Sequence, residues 1–311
     1  MPCLMSLPVF AFESFQSKHT ACLAIGNFDG VHYAHQKVLE EMIEWSRTNG
    51  WQSYVLTFEP HPRKVLNSSA DFHLLQSYSQ KYETLIKTGI DGIIVANFTK
   101  EFSAVSPVSF LDTLCSKIPL ASVYIGFNFR FGKGALGTPS AMKSYLEPKK
   151  ITCQIADPIE YEGIKVSSAF LRKELTTGRI ESYLRYTGRY YTVEETVVKG
   201  SDRGKKIGYA TANLQSVTAL LKHGVYIAKT TLIDSSEKES LVHVGPNPTF
   251  GETLIKMEVH IPDFDGNLYG QPLKVEFMNY LRDIQIFANP EALQFQIRDD
   301  IRLMRAFFKS F

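Results

Sequence analysis

The stretch ACLAIGNFDGVHYAHQ, Ala21 to Gln36, decides the fold. Its first five residues are a short apolar run that reads as a buried strand, and Gly26, Asn27, Asp29 and Gly30 then supply turn chemistry. Beyond the turn, Val38, Leu39, Met42, Ile43 and Ser46 recur at the spacing of one buried helical face, so His32 and His35 lie at or just before a helix start. The free N–H groups and the macrodipole at such a helix end favour an anion. Two imidazoles stand beside it, and the first physical reading is a phosphate site. From spacing alone two others stay open: a satisfied structural pair of histidines, or half of a metal site.

Outward from this stretch, Trp51 to Phe58 is strand-like and leads into TFEPHPRKV. The prolines around His61 predict an extended, stiff loop that carries His61 and Arg63 past a strand end, where open α/β sheets bind ligands. Tyr78, Tyr82, Leu85 and Ile86 repeat at helical spacing, as do Phe110, Leu111, Leu114 and Ile118. Ile93 to Phe98 and Ala121 to Phe127 read as strands. Strands alternating with helices, across connections too long for hairpins, predict a parallel sheet covered on both faces.

The loop GFNFRFGKGALGT places Gly132, Gly134 and Gly137 in GxGxxG spacing, with Asp157 further on. A dinucleotide fingerprint belongs directly after the first strand of its unit, and this loop follows a later one, so that reading is rejected. A basic surface loop is the plain alternative, and the interleaved Phe127, Phe129 and Phe131 count against it. Residues 139 to 165 predict one helix and then a strand from Ile151 to Ile159. VSSAFLRKEL opens another helix, with Ser167 or Ser168 as N-cap and Arg172 one turn up, in reach of an anion held there.

A boundary near Tyr183 to Thr192 separates this half from short β-like runs at Thr192–Val198, Tyr226–Ile233, Leu241–Val244, Leu254–Ile261 and Leu273–Leu281. Their spacing predicts an antiparallel barrel. A helix follows over Pro290 to Phe308, with Asn289 as cap and proline at its first position. In GSDRGKKIGYATANL, Gly200, Gly204 and Gly208 recur beside Arg203, Lys205 and Lys206, so backbone and cations together suit phosphate, although spacing alone favours a flexible basic loop. In IKMEVHI, Glu258 shares one strand face with Lys256 and His260, opposite Met257, Val259 and Ile261. A solvated surface glutamate is the plain reading there.

The chain has 311 residues, enough for two domains, and is 44% hydrophobic, enough for packed cores. Its net charge of +2 argues against nucleic acid or an anionic membrane as main partner. Cys3, Cys22, Cys115 and Cys153 show no CxxC spacing and fit reduced thiols in the cytoplasm. No run approaches the roughly 20 apolar residues of a membrane span, and the first residues lack a basic signal-peptide start.

Read together, these strings resemble the bacterial bifunctional riboflavin kinase/FMN adenylyltransferase (FAD synthetase) family from about Ala21 to Ala306. GNFDGVHYAH is similar to the HxGH signature of nucleotidyltransferases, with Ala34 in place of glycine. TFEPHPR and GFNFRFGKG resemble the family's flavin-side motifs. VSSAFLR resembles ISSTxIR, with Ala169 for threonine. GSDRGKKIGYATANL resembles GxxxGxxxGxPTANL, with Ala210 for proline, and LRDIQIF has Ile284 where glutamate is usual. The resemblance implies a fold of class α/β plus β: a Rossmann-like nucleotidyltransferase domain with a parallel sheet over 1–184, and an antiparallel β-barrel riboflavin kinase domain with a terminal helix over 185–311.

It also implies the chemistry: ATP-dependent phosphorylation of riboflavin to FMN, then adenylylation of FMN to FAD with release of pyrophosphate. His32, His35, Ser168, Arg172 and Glu258 would be catalytic, with Glu258 the base for riboflavin's 5′-hydroxyl. Gly26, Asn27, Phe28, Asp29, Gly30, Ser167, Gly200, Arg203, Gly204 and Gly208 would bind ATP, and His61, Arg63, Asn128 and Phe129 flavin. Thr211 and Asn213 would hold Mg2+, for which Mn2+ could substitute. The four substituted positions keep two alternatives open: a single retained activity, or an inactive flavin-binding regulatory relative. Oligomeric state is not legible from the sequence.

Overall fold

The computed structural model describes residues 8–66, 72–200, 208–215, 220–247, 249 and 253–310. Among them the chain separates into two compact units, residues 1–168 and 169–311.

The first unit holds a six-stranded, all-parallel sheet. Its strands are β1 (Val9–Ala11), β2 (Ala21–Ile25), β3 (Gln52–Glu59), β4 (Gly92–Asn97), β5 (Leu120–Gly126) and β6 (Thr152–Ala156), in the order β1-β4-β3-β2-β5-β6. All five residues of β2 are buried, and their alternation serves two cores. Leu23 and Ile25 pack with helices α5 (Pro107–Lys117) and α6 (Pro139–Leu146); Cys22 and Ala24 pack with α1 (Tyr33–Thr48) and α3 (Tyr78–Lys87). A strand covered on both faces reads as continuously apolar, which is why ACLAI showed no polar alternation. Short helices α2 (Pro62–Leu66) and α4 (Lys100–Ser103) and the hairpin β7 (Glu160–Tyr161)–β8 (Ile164–Lys165) complete the unit.

Strands β2, β3 and β4 build the sheet in one direction and β5 and β6 in the other, so the order reverses beside β2. At such a reversal the loops after neighbouring parallel strands diverge and leave a crevice.

Helix α7 (Ser168–Thr176) starts on the last residue of the first unit and runs into the second, where α8 (Glu181–Thr187) follows. Six antiparallel strands then close a barrel: β9 (Tyr191–Val198), β10 (Ala212–Leu214), β11 (Gly224–Thr231), β12 (Glu237–Gly245), β13 (Lys256–His260) and β14 (Pro272–Arg282), in the order β10-β13-β12-β11-β14-β9. The terminal helix α9 (Pro290–Lys309) is capped by the Asn289 side chain, which accepts from the Ala292 amide at 2.8 Å. Met304 of α9 packs on Val225, Ile227 and Leu241, whereas Tyr226, on the alternate face of β11, meets Phe277 edge to face.

Two expectations need correction, and one strand lies outside the sequence pattern. The segment after His61 is not extended: Pro62 opens α2, because proline's fixed φ and missing N–H suit a first helical turn. The strand expected to reach Ile159 stops at Ala156, and the hairpin β7–β8 follows. Strand β10, three residues long, falls below the length at which alternation can be read.

Helix α9 is held to the barrel by a buried ion pair. Asp300, 2% exposed, accepts from Arg282 Nε at 2.9 Å and Nη2 at 2.7 Å, and from Gln296 at 2.9 Å. Asp300→Ala strips Arg282 of its counter-charge and is expected to destabilise the second unit by about 3–5 kcal/mol, read as lost amide-exchange protection in β11 and β12.

Candidate functional site

The glycine loop leaves β2 where the sheet order reverses. Gly30 sits at φ +86°, and a Cβ there would lie 2.7 Å from Leu75 Cδ1, so glycine alone lets the loop turn this tightly. The loop is tied to its surroundings at each step. Gly26 N–H donates to the Leu56 carbonyl at 3.1 Å, and Thr57 Oγ1 donates to the Asn27 carbonyl at 3.2 Å. Asp29, 4% exposed, accepts the Leu75 amide at 3.0 Å on its carboxylate and the Ser168 hydroxyl at 2.8 Å on its backbone carbonyl.

His32 is the N-cap of α1 and makes no side-chain cap bond; His35 lies in the first turn. Their rings stack with centroids 3.8 Å apart, and Phe28 lies 5.1 Å from His35. Burial pushes the His32 imidazole down to about 4, and burial together with the neighbouring His32 holds His35 well below the usual histidine range. Both rings are therefore neutral near pH 7. The Nδ1 atoms of both rings and Asn27 Oδ1 are buried without hydrogen-bond partners. Unmade polar contacts cost a fold stability. The imidazole nitrogens stand at a helix N-terminus, whose free N–H groups suit an anion, whereas Asn27 Oδ1 is an acceptor and suits a donor.

The loops after β3 and β5 flank that after β2, since the three parallel strands are neighbours. His61 is buried, its Nδ1 accepts the Arg63 amide at 3.2 Å, and its ring lies 4.6 Å from Phe72; Arg63 is exposed over the same ring at 5.6 Å. After β5, Asn128 is exposed, while Phe129 is half-buried and stacks on the core residue Phe131 at 5.7 Å. Arg172 stands one turn along α7 from Ser168.

In the second unit the register places Asn213 opposite Glu258, and His243 opposite Glu258 on its other side. Asn247 Nδ2 donates to Glu258 Oε2 at 3.3 Å. A Cβ on Gly200 would fall 2.1 Å from Asn213 Nδ2, so the bare backbone makes room for that side chain. Thr211 and Asn213 are half-buried while Ala212 and Leu214 are buried, so the polar pair faces away from the barrel core. Gly208 is described at φ +82°; Arg203 and Gly204, with Lys205 and Lys206, lie outside the described residues. The sequence reading did not single out Asn247; His260, which it placed on the face of Glu258, pairs its Nδ1 with the Ala210 carbonyl at 2.8 Å. Alternation along β12 and β13 would have placed His243 beside Glu258 had the register been known.

Residues 14–170 match the FAD synthetase family model and residues 187–308 that of riboflavin kinase. A bifunctional riboflavin kinase/FMN adenylyltransferase of Listeria monocytogenes is 32% identical over 92% of both chains, and that of Pseudomonas fluorescens 30% identical over 96% of both. A solved structure of a macrolide-efflux protein from Streptococcus pneumoniae, 24% identical, covers 96% of this chain and 99% of its own with a TM-score of 0.84, a likeness of fold alone. Among the described residues no helix is long and apolar enough to cross a membrane.

The neutral imidazoles set a pH dependence. Below about pH 6.5 the unfolded chain binds a proton at residue 32 that the folded protein refuses, so the stability from His32 is complete above that pH and falls on acidification through about pH 4, by about 3 kcal/mol, and His35 adds a loss of the same sign. His32→Gln is expected to make that acid limb shallower, with the His35 contribution remaining, measured as urea midpoints of the ligand-free protein across the same range.

Proposed function

The chain belongs to the bifunctional riboflavin kinase/FMN adenylyltransferase family, and on that premise we propose how its residues divide the two reactions. It phosphorylates riboflavin to FMN and adenylylates FMN to FAD. Residues 1–184 are assigned to adenylyl transfer and residues 185–311 to the kinase.

The observation that carries the first assignment is the pair of buried, unpartnered imidazole nitrogens at the start of α1, His32 Nδ1 and His35 Nδ1. Asn27 Oδ1, an acceptor, suits a donor group of the ATP rather than its phosphate. An oxygen of the FMN phosphate, already anionic near neutral pH, attacks the α-phosphorus of ATP, and the bond to pyrophosphate breaks. No strong base is needed. The requirement is donors preorganised for charge on the α-phosphate and the departing pyrophosphate, and His32, His35, Ser168 and Arg172 are assigned to it. Gly26, Phe28, Asp29, Gly30 and Ser167 shape the ATP site, while His61, Arg63, Asn128 and Phe129 are assigned to the flavin.

In the kinase half, Glu258 takes the proton of the riboflavin 5′-hydroxyl as its oxygen attacks the γ-phosphorus of a second ATP, and ADP leaves. The paired strands that set Asn213 opposite Glu258 and the Asn247 amide on the carboxylate support this role. Thr211 and Asn213 offer a hydroxyl and an amide carbonyl, hard oxygen donors that fit Mg2+, and the room left by Gly200 suits the Asn213 side chain to that place. The cation, when bound, neutralises charge on the β- and γ-phosphates. Gly200, Arg203, Gly204 and Gly208 are assigned to the ATP phosphates. The substrates are small molecules, and the cytoplasm, with its ATP and reduced thiols, is the proposed compartment.

A chromatographic time course with riboflavin, ATP and Mg2+ tests the reading: FMN is expected first and FAD after it. His35→Ala is expected to slow FAD formation on the order of a hundredfold or more while sparing FMN formation. Glu258→Ala is expected to stop FMN formation while FAD still forms from supplied FMN. Loss of both activities from either substitution, with folding intact, would refute the division.

A further inference from the structure

Behind the glycine loop lies a buried ionic cluster that no step above uses. Lys81, on α3, is 4% exposed; its ammonium donates to Thr57 Oγ1 at 3.1 Å and lies 3.3 Å from Glu59 Oε1. The rings of Tyr78 and Tyr82 flank it at 5.1 and 5.5 Å. Thr57 is fully buried on β3, and its hydroxyl proton goes to the Asn27 carbonyl. Lysine is almost never this buried unless it is paired, and an apolar residue would pack α3 on the sheet without the desolvation cost.

The direction of these bonds gives the cluster a use. An ammonium only donates, so it occupies a lone pair of the Thr57 hydroxyl and leaves that hydroxyl one thing to do, which is to donate onward. The onward acceptor is the backbone of Asn27, in the middle of the loop. Asn27 is thus held by its main chain while its side-chain oxygen stays unpaired. Burial weakens the hold of Lys81 on its proton, and Glu59 and Asp29 strengthen it. With two carboxylates facing one ammonium, the cluster adds no net positive field for phosphate, so it acts through geometry.

We infer that Lys81 and Thr57 are positioning residues for adenylyl transfer, a relay from ammonium to hydroxyl to the Asn27 carbonyl that holds the glycine loop in the conformation that receives the α-phosphate. The inference rests on the assignment of adenylyl transfer to residues 1–184.

The test uses the full chain and reads both activities from each sample. Thr57→Val keeps the shape of the side chain and removes the hydroxyl; Thr57→Ser keeps the hydroxyl. Thr57→Val is expected to lower kcat for FAD formation about tenfold or more, as misplacement of a reacting group does, with the KM for FMN and the rate of FMN formation unchanged. Thr57→Ser is expected to restore most of that kcat, and Lys81→Met to show the same kcat loss with kinase activity intact. FAD formation by Thr57→Val at the wild-type rate would overturn the inference, as would Thr57→Ser being as slow as Thr57→Val, or an equal fall in both activities. A wild-type chain that makes FMN but no FAD would instead overturn the assignment on which it rests.

Discussion

One buried carboxylate organises the ligand-facing edge of the first unit. Asp29 receives the Leu75 amide on its side chain and the Ser168 hydroxyl on its backbone, so Leu75 and Ser168, both in the first unit, are fastened to the loop after β2. Hydrogen bonds to an ionised acceptor are stronger than neutral ones, and buried amides left without such an acceptor would be costly. Gly30 follows at positive φ, and Leu75 fills the space a side chain would take.

That fastening explains how the stacked imidazoles are tolerated. Two rings at 3.8 Å would repel if both were charged, and the fold avoids the conflict by burying them neutral. A negative charge placed beside them would favour their protonated forms. The second unit solves its own problem differently: its carboxylate, Glu258, lies between cross-strand neighbours, and pairing of β10, β12 and β13 brings Asn213 and His243 to it from either side.

Much of this was legible in the sequence. The wholly apolar β2, the stripe on α1 and the alternation in β13 each follow from a periodicity, and the structure has them where the pattern put them. Short elements were not legible: β10 is shorter than one alternation, and Pro62 was read as a breaker although it starts a helix. The quoted motifs contained His32, His35, Glu258, Asn213 and Thr57, but which residues meet across the chain was not legible in them. Lys81 and Thr57 are 24 positions apart, and Asn247 and Glu258 meet only through strand pairing. Local patterns carry no information about such meetings until the register is known.

The two sheets also differ in how much backbone they leave open. A closed barrel pairs its first strand with its last and keeps no edge. The parallel sheet has two edges, but β1 offers three residues, and β6 exposes Thr152 and Gln154 on either side of the buried Cys153. Short or polar rims of this kind give another chain few N–H and C=O groups to extend. Among the described residues these rims limit strand addition at the two larger sheets, a protection that comes from topology and owes nothing to either reaction.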